Sequence, residues 1–264
     1  RRVVSRLADG QFVCVIGNSG TGKSSLIAAG VAPALLRQDP KDPKRRCLRF
    51  TPKGDPLGQF AQALDRKLPE DRLDLGEGDR RARIAEALGR NPAAAIGKYL
   101  ARLSQPVLVF ADQFEELFTQ TAEAGRVGFK PVFDALAAAE GVLLVLTLRS
   151  EFYARLSDWL HHPALETRLV NLEPMRDEAR LAEVIRRPAE ERGVSIDAGV
   201  VADLVRQAGE MDGALPLLAL TLNRLFDRRD RLQGITRATL DATGGIADSI
   251  AAAAEPLDRK IDAK

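Results

Sequence analysis

Three strongly apolar runs organise the chain: Phe12–Ile16, Val107–Ala111 and Val142–Leu148. Apolar runs of this length, without polar alternation, fit strands buried on both faces. Two shorter runs, Cys47–Phe50 and Leu169–Leu172, read as further strands. Between the runs the apolar residues recur at intervals of three and four, the spacing of one helix face. That spacing predicts helices over Leu57–Leu68, Arg81–Gly89, Pro92–Leu103, Phe114–Thr119 and Phe129–Ala139. Residues 38–46 and 69–80 carry Pro, Gly and charge and read as loops. A helix is also expected after Ser24, with Pro33 ending or kinking it. From Pro174 onward only helical spacing remains. Strands alternating with helices argue for a parallel sheet covered on both faces. The expected fold is therefore α/β, a three-layer α/β/α domain over residues 1–173, followed by an all-helical subdomain over 174–264.

The segment after the first run is the most specific in the chain. Gly17-Asn18-Ser19-Gly20-Thr21-Gly22-Lys23-Ser24 fits G-x-x-x-x-G-K-[ST], the phosphate-loop (P-loop) pattern, at every fixed position. Its glycines let successive backbone N–H groups turn inward around a phosphate chain. Lys23 would set a charge on the β- and γ-phosphates, and Ser24 would offer a hydroxyl to Mg²⁺. Ser25 opens the helix whose positive dipole end faces the same phosphates. Strand, loop and helix stand in the required order, so an ordinary glycine-rich turn is the weaker reading.

Composition adds limits. Hydrophobic residues are 45% and charged residues 29%, an ordinary globular balance. With 39 Lys and Arg against 37 Asp and Glu, the net charge is +2, so no whole-chain field argues for nucleic acid. No run of 18 apolar residues offers a membrane span. The two cysteines, Cys14 and Cys47, lie in separate strand runs and lack a metal spacing; their sparseness fits a reducing, cytoplasmic setting. His161 and His162 are adjacent and read as a loop or helix-end pair. The chain opens on Arg1, which reads as a piece of a longer protein.

In open parallel sheets ligands bind outside the carboxyl ends of the strands. All three long runs end there in a useful residue: the phosphate loop, Asp112 and Arg149. Asp112 can hold Mg²⁺, a hard cation that takes carboxylate oxygen; the plainer alternative is a helix cap. Glu115 and Glu116 follow at the strand tip, where one of them could orient and deprotonate an attacking water. Glu116 is slightly favoured, with Glu115 the alternative. Arg149 could stabilise charge on the γ-phosphoryl group, or simply pair with Glu151.

Taken together, "GNSGTGKSSLIAAGVAPAL", "VLVFADQFEELFTQ" and "VLTLRSEFYARL" resemble the STAND class of signal-transduction P-loop NTPases. More narrowly, the chain resembles the bacterial novel STAND NTPase 1 group, often fused to WD40 repeats or effector domains. The likeness runs on through "LEPMRDEARLAEVIRRPAEERGV", "GALPLLALTLNRLF" and "GGIADSIAAAAE", from Phe12 to Glu255. It implies a switch: ATP replaces ADP when a fused or separate sensor domain is triggered, the protein forms homo-oligomers, and an effector is activated. It also implies slow hydrolysis of ATP to ADP and phosphate. By this resemblance Asp112 matches the Mg²⁺-binding acid, Glu115 and Glu116 the later acidic pair, and Arg149 the first sensor arginine. Pro216 resembles the proline that packs on adenine, although two residues rather than one separate it from Gly213. The helical segment would be lid-like, with too little length after Pro216 for a complete winged-helix domain.

Other readings compete. A motor ATPase acting on DNA or protein would want stacking aromatics, and these are only 5%. A GTPase would carry an Asn-Lys-x-Asp motif, which is absent from the sequence. A scaffold with a vestigial site is disfavoured because Ser24 and Asp112 are both intact.

Overall fold

The structure, a computed structural model, describes residues 2–8, 12–36, 47–68, 79–103, 106–161, 165–230 and 232–249. By contacts the chain divides into two compact units. One comprises Arg1–Gly17 with Lys23–Leu172; the other comprises Glu173–Lys264 with the Asn18–Gly22 loop.

The first unit is built on five strands: β1 (Phe12–Gly17), β2 (Cys47–Phe50), β3 (Val107–Ala111), β4 (Val142–Arg149) and β5 (Leu169–Asn171). All pair in parallel, in the order β2-β3-β4-β1-β5. The three long apolar runs are thus the three central strands, which is why they carry no alternation. Their side chains divide between two cores. Phe12, Cys14, Val107, Val109, Leu144 and Leu146 face helices Pro56–Asp65, Pro92–Leu100 and Glu123–Ala138. Val13, Val15, Leu108, Phe110 and Val145 face the opposite side, with Val3, Leu7, Ile27 and Val31. Each fully buried Val, Leu or Ile contributes about 1.5–3 kcal/mol. The three-layer α/β/α expectation is met.

Several boundaries moved. The helix expected over Leu57–Leu68 runs Pro56–Asp65, capped by the Asp55 carboxylate on the Gly58 N–H at 2.9 Å. The helix expected from Phe129 already begins at Glu123 and contains Pro131. The carbonyl that loses its partner there belongs to Val127, which is 65% exposed, so water can take it. Pro33 does not end its helix. A π-helical stretch, Leu26–Val31, precedes it, and α-helix resumes over Ala32–Leu36. The wider i→i+5 turn leaves room for a ring that lacks an N–H. Cys14 is fully buried, and burial pushes its thiol up to about 12, so it is a core residue. Residues 37–46 and 69–78, His162 and the tract Ala251–Ala254 lie outside the described residues; His161 forms a left-handed helix C-cap.

The second unit holds helices Glu178–Glu190, Ala198–Gly209, Ala214–Asp227 and Arg237–Thr243 around a core of Leu181, Ile185, Val201, Leu204, Leu218 and Leu225. Asp177 caps the first helix, and Thr236 with Thr239 forms a capping box on the last.

Candidate nucleotide site

Parallel pairing sets the carboxyl ends of β3, β4 and β1 side by side. Gly17 is in register with Arg149, and Ala111 with Leu146. The residues that sequence reading placed at three strand tips are therefore neighbours. The Ser24 hydroxyl donates to the Asp112 carboxylate at 2.6 Å. The Lys23 ammonium donates to the Gly17 carbonyl at 2.7 Å. Burial lowers the Lys23 pKa, while Glu115, then Glu151 and Asp112, raise it and Arg149 adds to the lowering. These charges are thus close enough to act on one another.

The loop itself is shaped by glycine. Gly20 and Gly22 take φ of +77° and +84°, a region other residues enter at a cost. The Thr21 N–H and hydroxyl both donate to the Asn18 carbonyl, at 3.4 and 3.0 Å. A Cβ on Gly20 would fall 2.7 Å from the Gly213 carbonyl oxygen, so that position tolerates no side chain. Gly213 is the left-handed N-cap of the Ala214–Asp227 helix. Pro216 lies in that helix's first turn, where its missing N–H costs nothing.

Asp112 is 2% exposed and saturated with donors. Its Oδ1 accepts from Ser24, from the Thr147 hydroxyl at 2.6 Å and from the Gln113 N–H at 3.1 Å. Its Oδ2 accepts from Arg49 at 2.6 Å. Gln113 holds φ +52°, and its N–H also donates to Thr147 at 3.0 Å. A non-glycine residue there costs about 1–2 kcal/mol, strain characteristic of a constrained site. Glu115 is buried; its carboxylate accepts the Arg149 backbone N–H at 3.3 Å and forms an ion pair with Arg149 Nε at 3.2 Å. Arg149 lies 4.0 Å from Glu151, the pairing weighed as the plainer alternative, and 3.2 Å from Glu115, its closer partner. Glu116 has one buried carboxylate oxygen, Oε2, with no hydrogen-bond partner.

Sequence reading missed Thr147 and Arg49. Thr147 left a signal: it is the one hydroxyl in the otherwise apolar run Val142–Leu148, and a buried hydroxyl needs a partner. Arg49 left none, because an exposed position on a short edge strand reads as solvated surface. Thr147→Val keeps the shape and removes both hydrogen bonds. It is expected to lower stability by about 1–3 kcal/mol, measured by urea titration.

The donor set suits a hard cation, one hydroxyl and one carboxylate with no nitrogen or sulfur. Among the described residues no group of three or more His, Cys, Asp or Glu is placed to hold a metal ion by itself.

The novel STAND NTPase 1 family model matches residues 1–264. The chain belongs to the novel STAND NTPase 1 family. Its solved structural neighbours include the Walker-type ATPase PABY2304 of Pyrococcus abyssi, with TM-score 0.55 and 14% identity over 98% of this chain and 75% of that one. The Aeropyrum pernix ORC2 protein, solved as ADPNP–ADP complexes, gives 0.56 and 14% over 95% of this chain and 65% of that one. Domain III of the Thermotoga maritima replication initiation protein DnaA gives 0.51 and 14% over 85% and 78%. At these identities the likeness is one of fold. The UvrABC system protein A of Synechocystis sp. (strain ATCC 27184 / PCC 6803 / Kazusa) is 33% identical over 124 residues, 46% of this chain. This chain spans about 10% of the length of that curated relative. Membership of this NTPase family, with the intact phosphate loop, makes the chain a nucleotide-binding P-loop NTPase. No helix among the described residues is long and apolar enough to cross a membrane.

Proposed function

We propose that the chain is a Mg²⁺-dependent ATP-binding switch module with slow hydrolysis. The observation that carries the reading is the 2.6 Å contact between Ser24 on the phosphate loop and Asp112 at the tip of β3. Had Asp112 stood across the sheet from Ser24, no shared cation site could form.

In this reading the backbone amides of Asn18–Gly22, with Ser25, cradle the phosphates, and Lys23 neutralises the β- and γ-oxygens. Ser24 and Asp112 hold Mg²⁺, which when bound offsets phosphate charge. Arg149 senses the γ-phosphate, and Pro216 packs on adenine. Between the acidic pair, geometry favours Glu115 as the group that orients the attacking water. It heads the carboxylates acting on Lys23 and touches Arg149, the two residues assigned to the γ-phosphate. This reverses the slight sequence preference for Glu116. Residues 174–264 act as a helical subdomain whose attachment to the nucleotide changes with ATP or ADP. In the whole protein, set in the cytoplasm, that change drives homo-oligomerisation and couples sensor to effector domains.

Calorimetric titration with ATP, ADP and GTP, with and without Mg²⁺, tests the site. ATP and ADP are expected to bind in the micromolar range, with GTP at least about tenfold weaker. Equal binding of GTP, or no binding of any nucleotide, overturns the reading. Light scattering of a longer chain with ATP against ADP tests the switch; an unchanged mass in both rules it out.

A further inference from the structure

Asp112 does two jobs in this fold, and Arg49 stands in the way of one of them. The carboxylate is 2% exposed, and its two oxygens are used differently. Oδ1 accepts three hydrogen bonds, from the Ser24 and Thr147 hydroxyls and the Gln113 N–H. Oδ2 faces Arg49, whose side chain is 53% exposed. The guanidinium also lies over the Phe110 ring, 5.3 Å from its centroid. It is seated by that ring and by charge, yet half of the side chain stands in water. A buried carboxylate needs a positive partner. The guanidinium supplies one positive charge where a divalent cation would supply two.

We infer that Arg49 is an intramolecular counter-ion on the Asp112 carboxylate, which a divalent cation must displace when Mg²⁺–nucleotide is bound. The inference rests on the nucleotide-site reading given above and adds a regulatory step to it. Exchange is feasible because the Arg49 side chain is half exposed and can swing into solvent without disturbing the core. It sets a threshold: nucleotide without cation leaves Arg49 in place, and the Mg²⁺ complex releases it. Released Arg49 changes the surface beside β2 without any rearrangement of the sheet.

The test is binding of a non-hydrolysable ATP analogue to the 264-residue chain across a series of free Mg²⁺ concentrations, read by calorimetry. Arg49→Met keeps an unbranched side chain of similar reach beside Phe110 and removes the charge. It is expected to lower the Mg²⁺ midpoint about tenfold, the worth of one charge-assisted contact. Affinity for the analogue in EDTA should stay within about twofold, and Arg49→Lys should keep the wild-type midpoint. Arg49→Gln serves if the methionine variant does not fold. An unchanged or raised midpoint overturns the inference. A loss of affinity in EDTA also overturns it, by marking Arg49 as a phosphate ligand. Failure of the wild-type chain to bind the analogue at any Mg²⁺ overturns the nucleotide-site reading and this inference with it.

Discussion

Lys23→Ala is expected to weaken ATP binding about 100-fold or more while the sheet domain keeps its melting temperature within a few degrees. The Lys23 ammonium is partly desolvated, and burial is the main cause of its lowered pKa. A charge that has already lost part of its hydration gives more to an incoming phosphate than a solvated one. Truncating one partner of such a charge pair costs about 2–5 kcal/mol, which corresponds to a factor of about 30 to several thousand. The fold should survive, because the contact with the Gly17 carbonyl ties the side chain to the loop rather than to the core, and alanine suits the start of the Lys23–Ser25 turn. Fluorescent-nucleotide titration with circular dichroism on the same samples separates the two effects. Retained affinity in a folded variant would show that the loop does not hold phosphate.

Glu115→Gln is expected to lower the hydrolysis rate about 100-fold or more, with ATP affinity changed less than about threefold; Glu116→Gln should cost less than about tenfold. A general base must reach the water that attacks the γ-phosphate, so it must lie near Lys23 and Arg149. Glu115 meets that condition, held at 3.2 Å by Arg149. The same contact limits it: the Arg149 pair has to loosen before Glu115 can accept a proton, so turnover is expected to be slow. Glu116 carries a buried, unpartnered oxygen, so its amide variant alters stability more readily than chemistry. Single-turnover measurements on both variants decide between them. A larger rate loss in Glu116→Gln would restore the sequence preference.

Much of the site was legible because its chemistry is written in consecutive residues. Gly17–Ser24 carries the loop, and Phe12–Ile16 and Val107–Ala111 carry the strands that present it and Asp112. Those strands could be read because full burial demands apolar residues on both faces. Helix limits were less legible. Pro33 looks like a breaker in sequence, yet the π-helical stretch accommodates it, and the helix expected from Phe129 starts six residues earlier, at Glu123.

From its sequence alone this chain is committed to a phosphate loop between a buried strand and a helix, to a parallel sheet with an acid and an arginine at its strand ends, and to a helical segment after it. These follow from local pattern, which neighbouring residues along the chain decide. The tertiary structure alone chose the strand order β2-β3-β4-β1-β5 and so brought Arg49, Thr147 and Asp112 together. It also set Glu115 rather than Glu116 against Arg149. The reason is distance along the chain: partners tens of residues apart meet only when strands choose their neighbours, and a run such as Cys47–Phe50 does not record which strand it will lie beside.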